Sequence, residues 1–156
     1  MAKPSIDRKE IYRSIMKYCD YQDRCEQEVR LKLNRLGVSE AEIPSIVEQL
    51  IDEDLINEER FALNYTRGKF RIKNWGKIRI RMELKSKGIS ASHIAKALGN
   101  LDTVTYHKSL HLVAQHKLDG LTSGSDQMKR KKLWDALIYR GWEKELVYDK
   151  IRELLP

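Results

Sequence analysis

The sequence offers little that could span a membrane or form a disulfide. Its 156 residues contain no run close to the ~20 apolar residues that a membrane helix needs. The leading residues 1–10, MAKPSIDRKE, have no apolar core after the lysine, so we expect no secretory leader and a cytoplasmic protein. Only two cysteines are present, Cys19 and Cys25, without a CxxC motif, and we expect both to be reduced thiols.

The sequence also lacks the common catalytic motifs. It has no GxSxG nucleophile motif, no phosphate-binding glycine loop and no evident Cys–His pair. His107 and His111 are four positions apart on a predicted helix, but no HExxH glutamate and no third ligand accompany them. The adjacent acids Glu58 and Glu59 are explained by the start of a helix, which favours negative charge. We therefore expect no catalysis, no cofactor and no bound metal.

What the sequence does have is a concentrated positive charge. The formal net charge is +7, and residues 67–87 alone contain nine basic residues and one acidic residue, Glu83. The rest of the chain is nearly balanced, with 21 basic and 22 acidic residues. Charge gathered in one segment indicates a polyanion or an acidic protein surface as the partner. The nine basic residues are Arg67, Lys69, Arg71, Lys73, Lys77, Arg79, Arg81, Lys85 and Lys87.

The secondary structure of this basic segment is ambiguous when the segment is read alone. Basic and apolar residues alternate through it, which is typical of a half-buried strand, and Asn-Trp-Gly at 74–76 could close a hairpin. An internal repeat favours a helix instead. The stretch that begins at Val29 aligns with the stretch at Ile80 and again with the one at Leu133.

Each copy of the repeat has a glycine in the same place, with leucine four positions earlier. The pairs are Leu33 and Gly37, Leu84 and Gly88, and Leu137 and Gly141. The spacing predicts helix, glycine turn, helix, and one further helical segment precedes each copy. In the first copy, Ser39 and Glu42 match a capping box.

The predicted fold is all-α, an elongated, curved tandem array of three three-helix modules. Module one covers residues 1–55, module two 56–102 and module three 103–156. Each module is too small to bury much core alone, so we expect neighbours to pack in series. In module two this places Lys77, Arg81 and Lys85 in one row along a helix face.

Two stretches of module two resemble the signature of the RecX family, bacterial regulators of the RecA recombinase. They are LINEERFALNY at 55–65 and GKIRIRMELKSKGIS at 76–90. The first matches the family pattern at Leu55, Ile56, Asn57, Glu58, Arg60, Phe61 and Ala62. The second matches at Gly76, Arg79, Ile80, Glu83, Leu84, Lys87, Gly88 and Ile89. Modules one and three match mainly at the repeat positions.

The resemblance implies a non-enzymatic protein that lies along the groove of the RecA filament on DNA. Family members modulate RecA, usually inhibiting its ATPase and strand exchange, and so act in recombination, DNA repair and the SOS response. The expected partners are the RecA filament and, weakly and without sequence preference, DNA. We expect a monomer that does not contact membranes. The residues themselves leave open whether RecA is inhibited or activated.

The predicted binding residues form the basic face of the segment. Whether they meet DNA phosphates, RecA carboxylates or both stays open at this level. Arg60 and Trp75 are further possible contacts. Asn57 is the expected N-cap of the helix that contains Arg60, so the other interpretation of Arg60 is that it pairs with the acids of that first turn, beside a Phe61 in the core. For Trp75 the other interpretation is packing as a hydrophobic staple before the next helix. The predicted basic face comprises Arg67, Lys69, Arg71, Lys73, Lys77, Arg79, Arg81 and Lys85.

The alternative is a helix-turn-helix protein that acts directly on DNA. LGVSEAEI and KGISASHI also match the turn and second helix of that motif. Helix 90–100 would then enter a major groove. Its expected exposed residues, Ser92, Lys96 and Asn100, are a small set for reading bases, and tandem copies suit an array better.

Overall fold

A computed structural model describes residues 7–156, which form nine α-helices and no β-strand. The all-α prediction is confirmed, and the basic segment contains a helix where a hairpin was the other interpretation. The expectation about a leader falls partly on residues 1–6, outside the described residues. The helices are α1 (Arg8–Tyr21), α2 (Glu26–Arg35), α3 (Ile43–Asp52), α4 (Glu58–Lys73), α5 (Lys77–Ser86), α6 (Ala91–Gly99), α7 (Thr103–Asp119), α8 (Asp126–Tyr139) and α9 (Lys144–Leu154).

Three helices lie within each predicted module, and the chain is an elongated helical repeat. The accessible surface is 10297 Å², against about 8200 Å² for a compact monomer of this mass. The boundaries 1–55, 56–102 and 103–156 and the curvature of the array stay predictions. We keep the module names for these ranges.

The predicted glycine turns end the second helix of each module in the same way. The glycines have left-handed φ angles, 86° at Gly37, 78° at Gly88 and 87° at Gly141. The residue after each glycine donates its backbone N–H to the carbonyl of the leucine four positions before that glycine. These hydrogen bonds run from Val38 to Leu33 (3.1 Å), Ile89 to Leu84 (3.1 Å) and Trp142 to Leu137 (3.2 Å). The repeat therefore specifies a Schellman cap at each of the three turns.

Replacing Gly88 with valine should lower the free energy of unfolding by about 1–3 kcal/mol, because a β-branched residue resists a positive φ. The matched control is Gly68→Ala within α4, where an added Cβ meets nothing within 4 Å. That change should raise stability slightly by restricting the unfolded chain. Urea denaturation followed by circular dichroism measures both, and equal midpoints for the two variants would contradict the prediction.

Caps at the helix N-termini agree with the sequence in part. Asn57 begins α4 as expected, and its side chain accepts a hydrogen bond from the Arg60 amide at 2.9 Å. The predicted Ser39 cap is wrong, because α3 begins at Ile43 and its N-cap is Glu42, without a side-chain cap. The Ser39 carbonyl instead accepts from the Glu42 and Ile43 amides, so a backbone turn occupies the place of a capping box.

Two hydrophobic cores divide the described chain unequally. The first joins α1, α2 and α3 of module one and also includes Ile56. The second runs continuously through modules two and three and takes in Cys25 from module one. Trp142, which is almost fully buried, packs against Phe70 and Tyr106 in this second core. Modules two and three therefore share a core, while module one has a separate one.

Candidate binding surface

Helix α5 carries the centre of the basic segment, and its apolar residues decide which way it faces. Ile80 and Leu84 are fully buried, one helical turn apart. Ile78 and Met82 lie beside that stripe and are 40% and 66% exposed. The alternating apolar residues of the segment, which resembled a strand, therefore do not all lie on one buried face. Burial of the Ile80–Leu84 stripe leaves the row of Lys77, Arg81 and Lys85 along one border of the helix.

This row lines one side of a surface groove between α5 and α6. The groove has a volume of about 540 Å³. Arg81 and Lys85 are exposed, and within residues 7–156 neither side chain forms a hydrogen bond or a salt bridge. The Lys77 ammonium lies 4.8 Å from the ring centroid of Tyr106. Across the groove lie Ala91, Ala95 and Gly99, above Ile89, Ile94 and Leu98. We call this the α5–α6 groove.

The charged row could be predicted from the sequence, whereas the groove beside it could not. Its far wall is built from small residues four positions apart on α6, Ala91, Ala95 and Gly99. That spacing places them along one helical border. The signal was present in the sequence, yet it has meaning only once α5 and α6 are known to pack side by side.

Arg79 lies apart from this row, in the joint between modules two and three. Its guanidinium carbon is 4.2 Å from the ring centroid of Trp75 and 4.7 Å from that of Tyr139. The guanidinium also donates a hydrogen bond to the Tyr139 carbonyl at 3.2 Å. Arg79 therefore contacts a residue of each module, Trp75 and Tyr139, and is placed to hold the modules together.

Lys69 and Trp75 line a different feature, a cleft of about 590 Å³ bordered by residues of modules one and two. The Lys69 ammonium lies 5.4 Å from the Tyr65 ring centroid and 5.1 Å from that of Trp75. Trp75 is partly buried against the second core, as the packing interpretation expected. Three acidic residues line the same cleft. They are Asp23, Glu28 and Glu83.

The remaining predicted basic residues belong to the second half of α4. Arg67 donates a hydrogen bond from its guanidinium to the Asn100 side chain at 3.0 Å. Arg71 and Lys73 are exposed and form no side-chain hydrogen bond or salt bridge within the described chain. The eight predicted residues thus divide among the α5–α6 groove, the joint, the cleft and exposed α4.

Arg60 and Phe61, near the start of α4, both form contacts within the chain. Arg60 forms salt bridges with Asp23 at 3.2 Å and Asp54 at 3.0 Å, so it ties module one to α4. Of the two interpretations left open for Arg60, pairing with the acids of its own first turn is therefore not the one that the structure has. Phe61 is buried and stacks on Tyr65 with ring centroids 5.6 Å apart, which confirms its predicted place in the core.

The helix-turn-helix alternative requires free side chains on α6. Lys96 is paired with Glu59 of α4, and Asn100 accepts the hydrogen bond from Arg67. Ser92 lies within 3.3 Å of the Ser90 hydroxyl. Each residue expected to read bases therefore already has a partner within the chain.

His107 and His111 lie four positions apart on α7. Lys150 lies 3.1 Å from His111 Nδ1, and no group of three or more potential metal ligands occurs in residues 7–156. No helix in that part of the chain is long and apolar enough to cross a membrane.

Burial raises the pKa of several groups that support this surface. It raises the pKa of Tyr65 to about 12 and that of the Cys25 thiol to about 11. Burial and the Glu143 carboxylate raise the pKa of Tyr106 as well. The Tyr106 hydroxyl donates to Glu143 and accepts from the Lys77 amide at 2.9 Å, so the neutral phenol anchors the start of α5.

Stability should fall in alkaline solution because of these groups. The folded chain keeps protons that the unfolded chain releases, so their contribution is complete at neutral pH. It is lost as pH rises from about 9 towards 12. Urea midpoints measured across that range test this, and Tyr65→Phe should flatten the decline. The exposed Tyr21→Phe is the control, and an equal change in both variants would contradict the assignment.

Comparisons with known proteins identify relatives along the whole array. Family models described as the first and second three-helix domains of RecX match residues 12–50 and 57–98. The regulatory protein RecX of Prosthecochloris aestuarii is 31% identical over 97% of each chain, and that of Chlorobium phaeobacteroides is 30% identical over 95% of each. The crystal structure of RecX from Lactobacillus salivarius superposes with a TM-score of 0.79 at 27% identity, covering 94% of this chain and 95% of that one.

Proposed function

Because the chain belongs to the RecX family of regulatory proteins, we propose that it binds the RecA filament on DNA and inhibits RecA without being an enzyme. The observation that carries this proposal is the α5–α6 groove. Its rim presents Arg81 and Lys85, which have no ion-pair partner within residues 7–156, on an elongated helical array. RecA ATPase, strand exchange and the DNA repair that depends on them would be reduced.

The mechanism we propose follows from the shape and the shared core. An elongated array can contact more than one subunit of a filament. Modules two and three share one hydrophobic core, so they resist bending relative to each other. An array that bridges neighbouring RecA subunits would oppose the subunit movements that accompany ATP turnover. We expect the protein to act as a monomer, in the cytoplasm.

DNA would contribute a weaker, secondary attraction. Arg71 and Lys73 are exposed on α4 and free to meet phosphates. Phosphate contacts are independent of sequence and weaken steeply with salt. We therefore expect this protein to bind naked DNA weakly and without sequence preference, and to bind the RecA filament more tightly.

The test is RecA ATPase on single-stranded DNA as this protein is titrated in. The rate should fall and reach a plateau as the filament saturates. Co-sedimentation with RecA filaments, compared with DNA alone, should show preference for the filament. An unchanged ATPase rate at saturating protein would overturn the proposal, and a faster rate would contradict inhibition.

The helix-turn-helix alternative makes a different prediction. A base reader would select one DNA sequence and bind it without RecA. The partners of Lys96 and Asn100 disfavour it, because reading bases would require breaking those contacts. Selection from a random DNA pool distinguishes the two functions, and recovery of a single motif would favour the base reader.

A further inference from the structure

The α5–α6 groove has a counterpart in module three. A second groove, of about 700 Å³, lies between α8 and α9. Several residues that line it align, through the internal repeat, with residues that line the first groove. The aligned pairs include Lys77 with Arg130, Ala95 with Tyr148, and Leu98 with Ile151. We call the second one the α8–α9 groove.

Both grooves combine an apolar floor with a basic rim. In the α5–α6 groove the floor is aliphatic, and among the described residues no aromatic side chain lines it. In the α8–α9 groove the apolar lining includes Trp134 and Ile151, and the rim includes Arg130 and Arg152. In the α5–α6 groove nucleic acid would use only the rim, because a base needs an aromatic surface to stack on. The α8–α9 groove does have aromatic lining, Trp134 and Tyr148, so crosslinking to DNA there is an outcome that the crosslinking test must distinguish. A ligand that uses rim and floor together has apolar side chains flanked by negative charge.

The volumes and the surroundings fit a protein segment. Both grooves fall within the ~300–1,000 Å³ of typical ligand pockets. Small residues at Ala91, Ala95 and Gly99 let a peptide backbone approach α6 closely. An amphipathic helix laid in a groove uses apolar anchors one turn apart, and here lysine and arginine border it at the same spacing. We propose that each groove binds an acidic amphipathic segment of a partner protein.

The two sites would act together on a partner that repeats the segment. Modules two and three share a core, so the distance between the grooves is fixed. Occupation of one then raises the effective concentration at the other. At the positions of Lys77, Arg81 and Lys85, module one has Glu26, Arg30 and Asn34, and module three has Arg130, Trp134 and Ile138. The full basic row therefore occurs in module two, whereas the α8–α9 groove takes its basic lining from Arg130, Lys131 and Arg152. Arg30 is also neutralised by Glu26 at 3.2 Å. The inference rests on the proposed function only for the identity of the partner, the subunits of the RecA filament.

Photo-crosslinking tests the sites on the intact complex. Benzoylphenylalanine is introduced in place of Ser92, which follows Ala91 on α6, in place of the aligned Glu145 on α9 and, as control, in place of the aligned Ala41 of module one. All three side chains are exposed, and neither Ser92 nor Glu145 is one of the residues that line its groove, so the probe does not fill the site. On irradiation with RecA filaments, the first two positions should crosslink to the same acidic RecA segment, and position 41 should crosslink much less. Crosslinks to DNA, equal crosslinking at position 41, or silence at 92 and 145 while the protein co-sediments would each overturn the proposal.

A second measurement does not depend on RecA. The probe is a fluorescent synthetic peptide with leucines one helical turn apart between glutamates, compared with a scrambled peptide of equal composition. The full chain should bind the ordered peptide at two sites and the scrambled one at least about tenfold more weakly. Ala95→Trp, which fills one groove, should remove one site. Equal binding of the two peptides overturns the proposal. Peptide binding without RecA co-sedimentation would reject only the proposed function.

Discussion

Reversing the charges of Arg81 and Lys85 together, as Arg81→Glu with Lys85→Glu, should weaken binding to the RecA filament at least about tenfold, or ~1.4 kcal/mol. Both side chains are exposed on the rim of the α5–α6 groove and have no ion-pair partner within residues 7–156. The reversal turns two attractions towards an acidic surface into two repulsions. It should also restore most of the RecA ATPase rate.

The folded state should tolerate this double change. Arg81 and Lys85 are like charges one turn apart, which repel by a few tenths of a kcal/mol, and the two glutamates would repel equally. No intramolecular salt bridge is lost in the described chain. Thermal unfolding should therefore be nearly unchanged, so that lost binding cannot be attributed to unfolding.

A matched control separates the location of the charge from its amount. Lys9→Glu with Arg13→Glu changes the net charge equally, at the same spacing, on exposed residues of α1. Filament binding by this control should weaken far less. If both double variants bind equally, net charge rather than the groove governs attraction. If the Arg81 and Lys85 variant binds like the unchanged protein, the row has no part in binding.

Replacing Gly141 with alanine should destabilise modules two and three by about 3 kcal/mol or more, through two separate effects. The first is the left-handed φ of 87°, which alanine resists. The second is close packing, because an added Cβ would lie 2.2 Å from the Cβ of Arg79. The Gly141 carbonyl also accepts a hydrogen bond from the Ile78 amide at 2.9 Å, so moving the turn away would break the joint.

Gly88→Ala measures the first effect alone. Gly88 ends α5 in the same kind of turn, with φ 78°, but an added Cβ there meets nothing within 4 Å. It should destabilise by only about 1 kcal/mol. Urea denaturation followed by tryptophan fluorescence suits both variants, because Trp75, Trp134 and Trp142 all lie in modules two and three. If both variants lose the same free energy of unfolding, close packing of the Gly141 turn against α5 does not contribute to stability.

The features that could be predicted from the sequence are those set by near neighbours in the chain. Each glycine turn is closed by a hydrogen bond between residues five apart, so Leu84, Gly88 and Ile89 contain nearly all the information. The row of Lys77, Arg81 and Lys85 needed only the helical period. The internal repeat also favoured a helix over a hairpin for the basic segment, which the alternation of basic and apolar residues could not do.

The features that escaped prediction depend on distant residues. Arg79 was grouped with the basic face because only its charge was visible, whereas its surroundings come from Tyr139, 60 positions away. For Arg60 the sequence left open a binding contact or the acids of its own turn, whereas the residue pairs with Asp23 and Asp54 from before α4. The α5–α6 groove likewise exists only because two helices pack side by side.

The unequal cores imply an order of events during synthesis on the ribosome. Module one can bury Val29, Leu33 and Leu50 as soon as α3 has emerged, since its core draws almost wholly on earlier residues. Module two cannot bury its core in the same way, because that core includes residues of module three. The Trp142 indole donates to the Asn74 carbonyl at 3.1 Å, so the surface around Phe70 stays uncovered until nearly the whole chain is made. A nascent chain stalled before Trp142 would expose that surface to chaperones and proteases while its N-terminal part is already folded.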